Sequence, residues 1–214
     1  MESPDLAALR AEYARDGLDE DDAGSDPVAL FGRWLDDAVA ADVHEPNAMA
    51  LATADASGRP SVRIVLLKGF DPAGAVFYTN YDSRKGRELV DNPWASAVLL
   101  WHQIRRQVRV EGRVERVDPT QSDSYFGSRP RGAQIGAVAS RQSRSIEGRD
   151  ALEAQIADAE QMFDGRDVER PEQWGGYRIA LDVLEFWQGR ADRVHDRLRY
   201  ARAGDGWSRE RLQP

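Results

Sequence analysis

The sequence predicts an α+β fold, an antiparallel β-barrel with helices packed around it. Three observations point there: short strands separated by tight turns from Ala48 to Asn80, two further strand patterns at 95–101 and 106–117, and apolar stripes at helical spacing before and after them. The chain has 214 residues, 41% hydrophobic and 31% charged, enough to bury one core.

Ser3-Pro4-Asp5 supplies an N-cap, a first-turn proline and an acid, and Leu6, Leu9 and Tyr13 follow at helical spacing until Gly17. The DEDD run after it reads as a solvated linker. Residues 1–26 are therefore expected to be an N-terminal helix and an acidic flexible segment, ahead of a single domain over 27–214. Asp26-Pro27 repeats the start signal, and Leu30, Phe31, Trp34, Leu35 and Val39 form the stripe of a second helix. From Ala48 the pattern changes to a β-meander: Ala48 to Ala54, Ser61 to Phe70 and Ala75 to Asn80, with turns at 55–58 and 71–74. Ser83 caps a helix through Val90 that Pro93 ends, and strands resume at Ala95 to Trp101 and Arg106 to Val117. In the last of these Val108, Val110, Gly112 and Val114 share one face while charged residues alternate on the other, as in a half-buried antiparallel strand. Pro119 opens a helix toward Phe126, a Gly/Arg/Ser-rich segment covers 127–148, Arg149 to Phe163 is an amphipathic helix, and Gly175 to Trp187 is one further strand.

Charge and composition narrow the function. Nine acids and two arginines give residues 1–26 a charge of −7, which leaves −1 of the total −8 for the rest of the chain. Such a body lacks the basic excess of a nucleic-acid binder, and no nucleic-acid partner is expected. No apolar run approaches the roughly 18 residues of a membrane span, and the acidic start is unlike a secretory signal, so a cytoplasmic protein with no membrane partner is expected. The chain has no cysteine, which removes thiolate zinc sites, iron–sulfur clusters and cysteine nucleophiles. His44, His102 and His195 stand without metal-ligand spacing, so no metal is expected. The GxSxG, GxxxxGK[ST] and GxGxxG signatures are missing.

What remains is cationic. Of 29 basic residues only Lys68 and Lys85 are lysines. Arg63, Lys68, Arg84, Lys85 and Arg87 cluster around a predicted helix start at Ser83, where helix N–H groups, cations and hydroxyls can bind an anion or can form a solvated turn. A regular strand places Arg63 and Lys68 on opposite faces, so they are expected to meet two different anions. The clusters 125–131 and 140–145 allow the same two readings, and three such clusters favour phosphorylated ligands. Trp187 with Arg190, Arg193, His195 and Arg197 could stack on a flat ring, or Trp187 could be a core anchor with arginines at the surface.

The strings RIVLLKGFD (63–71), FYTNYDSRKGREL (77–89), RRQVRVEGRVE (105–115), SYFGSRPRGAQIGA (124–137), RQS (141–143), WGGYR (174–178), EFWQGRADRVHDR (185–197) and WSRERLQP (207–214) resemble pyridoxine/pyridoxamine 5′-phosphate oxidases in order and spacing. The likeness covers nearly the whole chain. It implies a split β-barrel with surrounding helices, a homodimer with FMN at the subunit interface, and oxidation of pyridoxine 5′-phosphate or pyridoxamine 5′-phosphate to pyridoxal 5′-phosphate with O2 as acceptor. By the resemblance, Arg63, Ile64, Val65, Leu66 and Lys68 line the flavin, and Tyr78, Thr79, Arg84 and Lys85 meet it or its phosphate. Gln107, Gln142, Ser143, Trp187 and Arg197 complete the cofactor site. Lys68, Tyr125 and Arg129 match the grip on the substrate phosphate, Arg193 and His195 match catalytic residues closing over the pyridine ring, and Arg10 and Tyr13 match an N-terminal cover. Ala133 stands where many members have a serine, and Val138 where a tryptophan is common. A module that binds FMN or pyridoxal phosphate without turnover, or a split-barrel reductase using a nicotinamide or deazaflavin, would have no reason to keep the 125–129 and 193–197 segments together with Lys68.

Overall fold

The structure, a computed structural model, describes residues 17–214; the expected first helix and the candidate residues Arg10 and Tyr13 lie outside them. In chain order the elements are α1 (Glu20–Ala23), α2 (Pro27–Ala40), β1 (Ala48–Ala54), β2 (Pro60–Asp71), β3 (Gly74–Asn80), α3 (Arg84–Asp91), β4 (Trp94–Trp101) and β5 (Arg106–Arg116). There follow α4 (Pro119–Ser128), α5 (Arg131–Ala139), α6 (Arg149–Met162), β6 (Trp174–Ile179), β7 (Val183–Gln188), β8 (Asp196–Ala203) and β9 (Gly206–Arg211). This is the α+β, mainly antiparallel class that the sequence predicts. The residues form two compact units, one comprising residues up to 46, 98–109 and 183–214, the other 47–97 and 110–182.

In the first unit, Asp26 caps α2 by accepting from the Val28 N–H at 2.9 Å, with Pro27 in the first turn. The α2 stripe buries Leu30, Phe31 and Trp34, and the Trp34 ring meets Phe186 edge-on at 5.2 Å. β7 and β8 pair antiparallel with Trp187 opposite Arg197, and β8 turns into β9 through a two-residue loop that sets Ala203 opposite Gly206. Gly204 takes φ +58° there, as a tight hairpin requires. The sequence reading ends its strands at Trp187 and so omits β8 and β9. It also differs at 19–24, where the expected solvated linker is a capped helical turn tied to β8 and β9. Glu20 Oε1 accepts from Arg211 Nε at 2.7 Å, and the Gly24 carbonyl accepts from the Tyr200 hydroxyl at 2.8 Å. The hydrogen bond from Arg211 holds the Glu20 carboxyl at about 2.

The second unit carries the meander. β1 pairs with β2 from Ala48↔Leu66 to Ala54↔Pro60, across a turn in which Asp55 accepts from the Ser57 and Arg59 N–H groups. β3 pairs with both β2 and β6, and β6 with the end of β5, Val114 opposite Ile179. The single strand expected over 175–187 is two, β6 and β7, because residues 180–182 leave the ladder while their N–H groups at 180 and 182 donate to the Arg113 and Glu111 carbonyls. α4, α5 and α6 bury Phe126, Ile135 and Ala159 with Val168 and Trp174. α5 lies within the segment read as Gly/Arg/Ser-rich; its buried residue is Ile135 alone, too little to mark a stripe.

Candidate functional site

The second unit holds a cavity of about 770 Å³ between the meander and the helices. β2 contributes Arg63, Ile64, Val65, Leu66 and Lys68, and β3 contributes Tyr78 and Thr79. Lys85 enters from α3, Tyr125 and Arg129 from the end of α4, and Gln142 and Ser143 from the loop after α5. Twelve of the predicted residues thus share one wall. Arg63 and Lys68 were expected to part, yet both line this cavity. Between Leu67↔Phe77 and Gly69↔Val76 the register shifts by one residue, so Lys68 is the extra residue of a β-bulge, which breaks the alternation and re-aims its side chain.

Two features mark the wall as built for anions. Lys85 is buried, and its Nζ donates to Thr79 Oγ1 at 2.7 Å, Gln142 Oε1 at 2.8 Å and Ser83 Oγ at 3.1 Å. All three acceptors are neutral, and among the described residues no carboxylate pairs with this ammonium. Burial, and then the like charge of Arg63, bring Lys85 down to about 8 from 10.5, against the opposing pull of Glu88. α3 comes in close because position 86 is glycine: a Cβ there would overlap the Tyr81 carbonyl.

The second feature is Arg129. Its Nη1 is buried with no hydrogen-bond partner, and burial lowers its pKa. Its guanidinium lies 4.6 Å over Trp174, whose ring is near-parallel to Tyr125 at 6.1 Å, and Lys68 Nζ stands 6.0 Å over Tyr125. Tyr78 stacks on Tyr125 at 3.9 Å. A half-buried guanidinium held by an aromatic face, with the N–H groups of its buried Nη1 unpaired, suits a phosphate. The sequence reading missed Trp174 in this role, although it lies in the quoted WGGYR string.

The structure does not place Arg84 in the wall. Its Nε donates to Glu88 Oε1 at 2.8 Å, and more than half of the side chain is exposed. The remaining candidates, Gln107, Trp187, Arg193, His195 and Arg197, belong to the first unit. There the Trp187 and His195 rings lie 4.6 Å apart, and Arg197 Nε donates to Glu185 Oε1 at 2.8 Å, which raises the Arg197 pKa. Asp192 and Arg193 sit at φ +55° and +61°, a left-handed pair of non-glycine residues that stores local strain. His195 Nδ1 accepts from the Arg190 N–H at 3.1 Å, and burial together with the Arg193 cation lowers its pKa.

Residues 35–163 match the family model described as pyridoxamine 5′-phosphate oxidase, and residues 174–214 match the pyridoxine 5′-phosphate oxidase C-terminal dimerisation region. The chain belongs to the pyridoxamine 5′-phosphate oxidase family. Among its relatives is a protein of Rubrobacter xylanophilus named pyridoxine/pyridoxamine 5′-phosphate oxidase, 57% identical over 98% of this chain and 97% of its own length. A Synechocystis protein of the same name is 49% identical over the whole of both chains. Of solved structures, PhzG from Burkholderia lata 383, in complex with tetrahydrophenazine-1-carboxylic acid, superposes with a TM-score of 0.87 at 38% identity over 94% of this chain and 99% of its own. A family-related FMN-binding protein from Nostoc punctiforme, 18% identical with a TM-score of 0.69 over 87% and 96%, shares the fold. The split-barrel class expected from the sequence is therefore the family's own. No helix among the described residues is long and apolar enough to cross a membrane.

Proposed function

We propose that this chain oxidises pyridoxine 5′-phosphate or pyridoxamine 5′-phosphate to pyridoxal 5′-phosphate, with FMN as cofactor and O2 as electron acceptor, in a cytoplasmic homodimer. The observation that carries the reading is the pair of anion-seeking cations in one cavity, Lys85 and Arg129, in a chain that matches named oxidases from end to end. Two phosphorylated ligands call for two such groups, one for the flavin and one for the vitamer. FMN, when bound, supplies a two-electron acceptor for the hydride leaving C4′ of the vitamer, and O2 restores it with release of hydrogen peroxide.

The chain's own groups bind, orient and polarise. Lys85, with Thr79 and Gln142 around it, holds the flavin phosphate; Arg63 to Leu66, on β2, line the flavin. Arg129, Lys68 and Tyr125 hold the vitamer phosphate, and the aromatic stack keeps the Arg129 fork from swinging, which converts binding into orientation. Arg193 and His195 act on the pyridine ring. Because His195 Nδ1 already accepts a hydrogen bond, the proton of its neutral ring lies on Nε2. With the amine substrate, the oxidised carbon takes up water and ammonia departs.

The experiment is anaerobic mixing of FMN-loaded protein with each vitamer phosphate, followed by admission of air. Bleaching of the flavin absorbance and its return with oxygen are expected. A flavin that binds but stays oxidised with both vitamers would overturn the oxidase reading in favour of a binding module.

A further inference from the structure

Glu88 is a buried carboxylate on α3 that lies outside the cavity wall, yet it gathers groups from three elements. Its Oε2 accepts from Thr53 Oγ1 on β1 at 2.5 Å, from Ser61 Oγ on β2 at 2.6 Å and from Arg63 Nη2 at 3.3 Å. Its Oε1 accepts from Arg84 Nε. Burial alone would raise its pKa, but the Ser61 and Thr53 hydroxyls and the Arg84 and Arg63 cations outweigh that and hold it at about 2. Arg63 is fixed from the other side as well, its Nη1 donating to the Leu51 carbonyl at 3.0 Å and to Thr53 Oγ1 at 2.7 Å. The guanidinium thus has one orientation, set by groups that cannot reach a ligand.

We propose that Glu88 is a positioning residue for phosphate binding: it fixes Arg63 at the cavity wall and offsets the mutual repulsion of Arg63, Arg84 and Lys85. This rests on the flavin reading above. Both ends of the Arg63 fork are taken up by this cluster, Nη2 donating to Ser61 Oγ as well as to Glu88, so Arg63 meets the cavity as a fixed positive charge. Its second effect is electrostatic. Arg63 and Lys85 are neighbouring cations on one wall, and the Arg63 charge favours loss of the Lys85 proton while the Glu88 charge opposes it. Without that carboxylate, Arg63 has one tether fewer, and the ammonium sheds its proton at lower pH. The groups facing Glu88 are Thr53 from β1, Ser61 and Arg63 from β2, and Arg84 from its own helix.

The test titrates the full-length, flavin-free chain with FMN and with riboflavin, which lacks the phosphate, following flavin fluorescence across pH. Glu88→Gln keeps the size and can still accept from the Ser61 or Thr53 hydroxyl. It is expected to weaken FMN roughly tenfold while riboflavin changes less than about twofold, and to move the pH at which FMN affinity declines downward. Ser61→Ala, which keeps the charge and removes one bond to Glu88 and one from Arg63, is expected to lose roughly threefold for FMN alone. An FMN-to-riboflavin ratio unchanged in both variants, or both flavins weakened equally, overturns the role of Glu88 and leaves a purely structural tie. If the unmodified chain binds FMN no better than riboflavin, the flavin reading itself falls, and this role with it.

Discussion

Replacing Lys85 with Met separates function from stability, because the two respond in opposite directions. Met keeps the apolar stem and removes the ammonium. In the flavin-free chain that ammonium is buried among the oxygens of Thr79, Ser83 and Gln142 with no carboxylate bonded to it, and the cost of its burial outweighs the pull of Glu88. Of its three acceptors, Gln142 Oε1 also accepts from Thr79 Oγ1 at 3.1 Å and Ser83 Oγ from the Gly86 N–H at 3.3 Å, so neither is stranded by the substitution. Thermal stability of the flavin-free variant should therefore be unchanged or higher. FMN binding should weaken by the worth of a hydrogen bond to a charged group, about 1.5–3 kcal/mol, or roughly 10- to 150-fold in Kd. Riboflavin affinity should hardly move. Fluorescence titration with both flavins, beside a thermal melt, reads all three quantities. A variant that melts lower and keeps its FMN affinity would show Lys85 to be a structural cation and refute the anion-site reasoning.

The same lysine predicts a pH dependence. Its folded pKa, about 8, lies below the ordinary 10.5, so the flavin-free fold gains stability as pH rises through that window, while FMN affinity declines. At pH 9 the affinity should be roughly tenfold below that at pH 7, and Lys85→Arg should flatten the profile; a flat profile in the unmodified chain would contradict the assignment. Ala133 lines the cavity with Arg129, and Ala133→Ser offers the vitamer phosphate one more hydroxyl. It should lower KM by up to roughly tenfold, which steady-state kinetics would check, an equal or higher KM counting against it. Arg193→Leu should cut turnover roughly a hundredfold while the flavin content of the purified protein stays the same, and full oxidase activity in that variant would remove Arg193 from the substrate site.

What the sequence disclosed follows from how far apart the interacting residues are. Ser83 with Lys85, and the strand 63–66, can be read because cap, cation and alternation lie within a few positions, and these elements appear where their local chemistry puts them. Lys68 could not be read, because its direction depends on a bulge defined only by pairing with Val76 and Phe77. The hairpin of β8 and β9 did carry a local signal, Gly204-Asp205 between alternating residues; arginines at 197, 199 and 202 hid the apolar pair Leu198 and Tyr200. Glu88 shows the limit most clearly. In the sequence it is one acid among 37, on a short helix next to basic residues, where an exposed i,i+4 pair with Arg84 is the natural reading. Folding brings to it Thr53 from 35 positions away and Ser61 from 27, and the exposed pair becomes the edge of a buried carboxylate hub. Residues that will touch a ligand announce themselves by type and spacing, because a phosphate demands cations and hydroxyls wherever it binds. Residues that aim those groups can be of almost any polar type, and only the register of the strands says which of them are within reach.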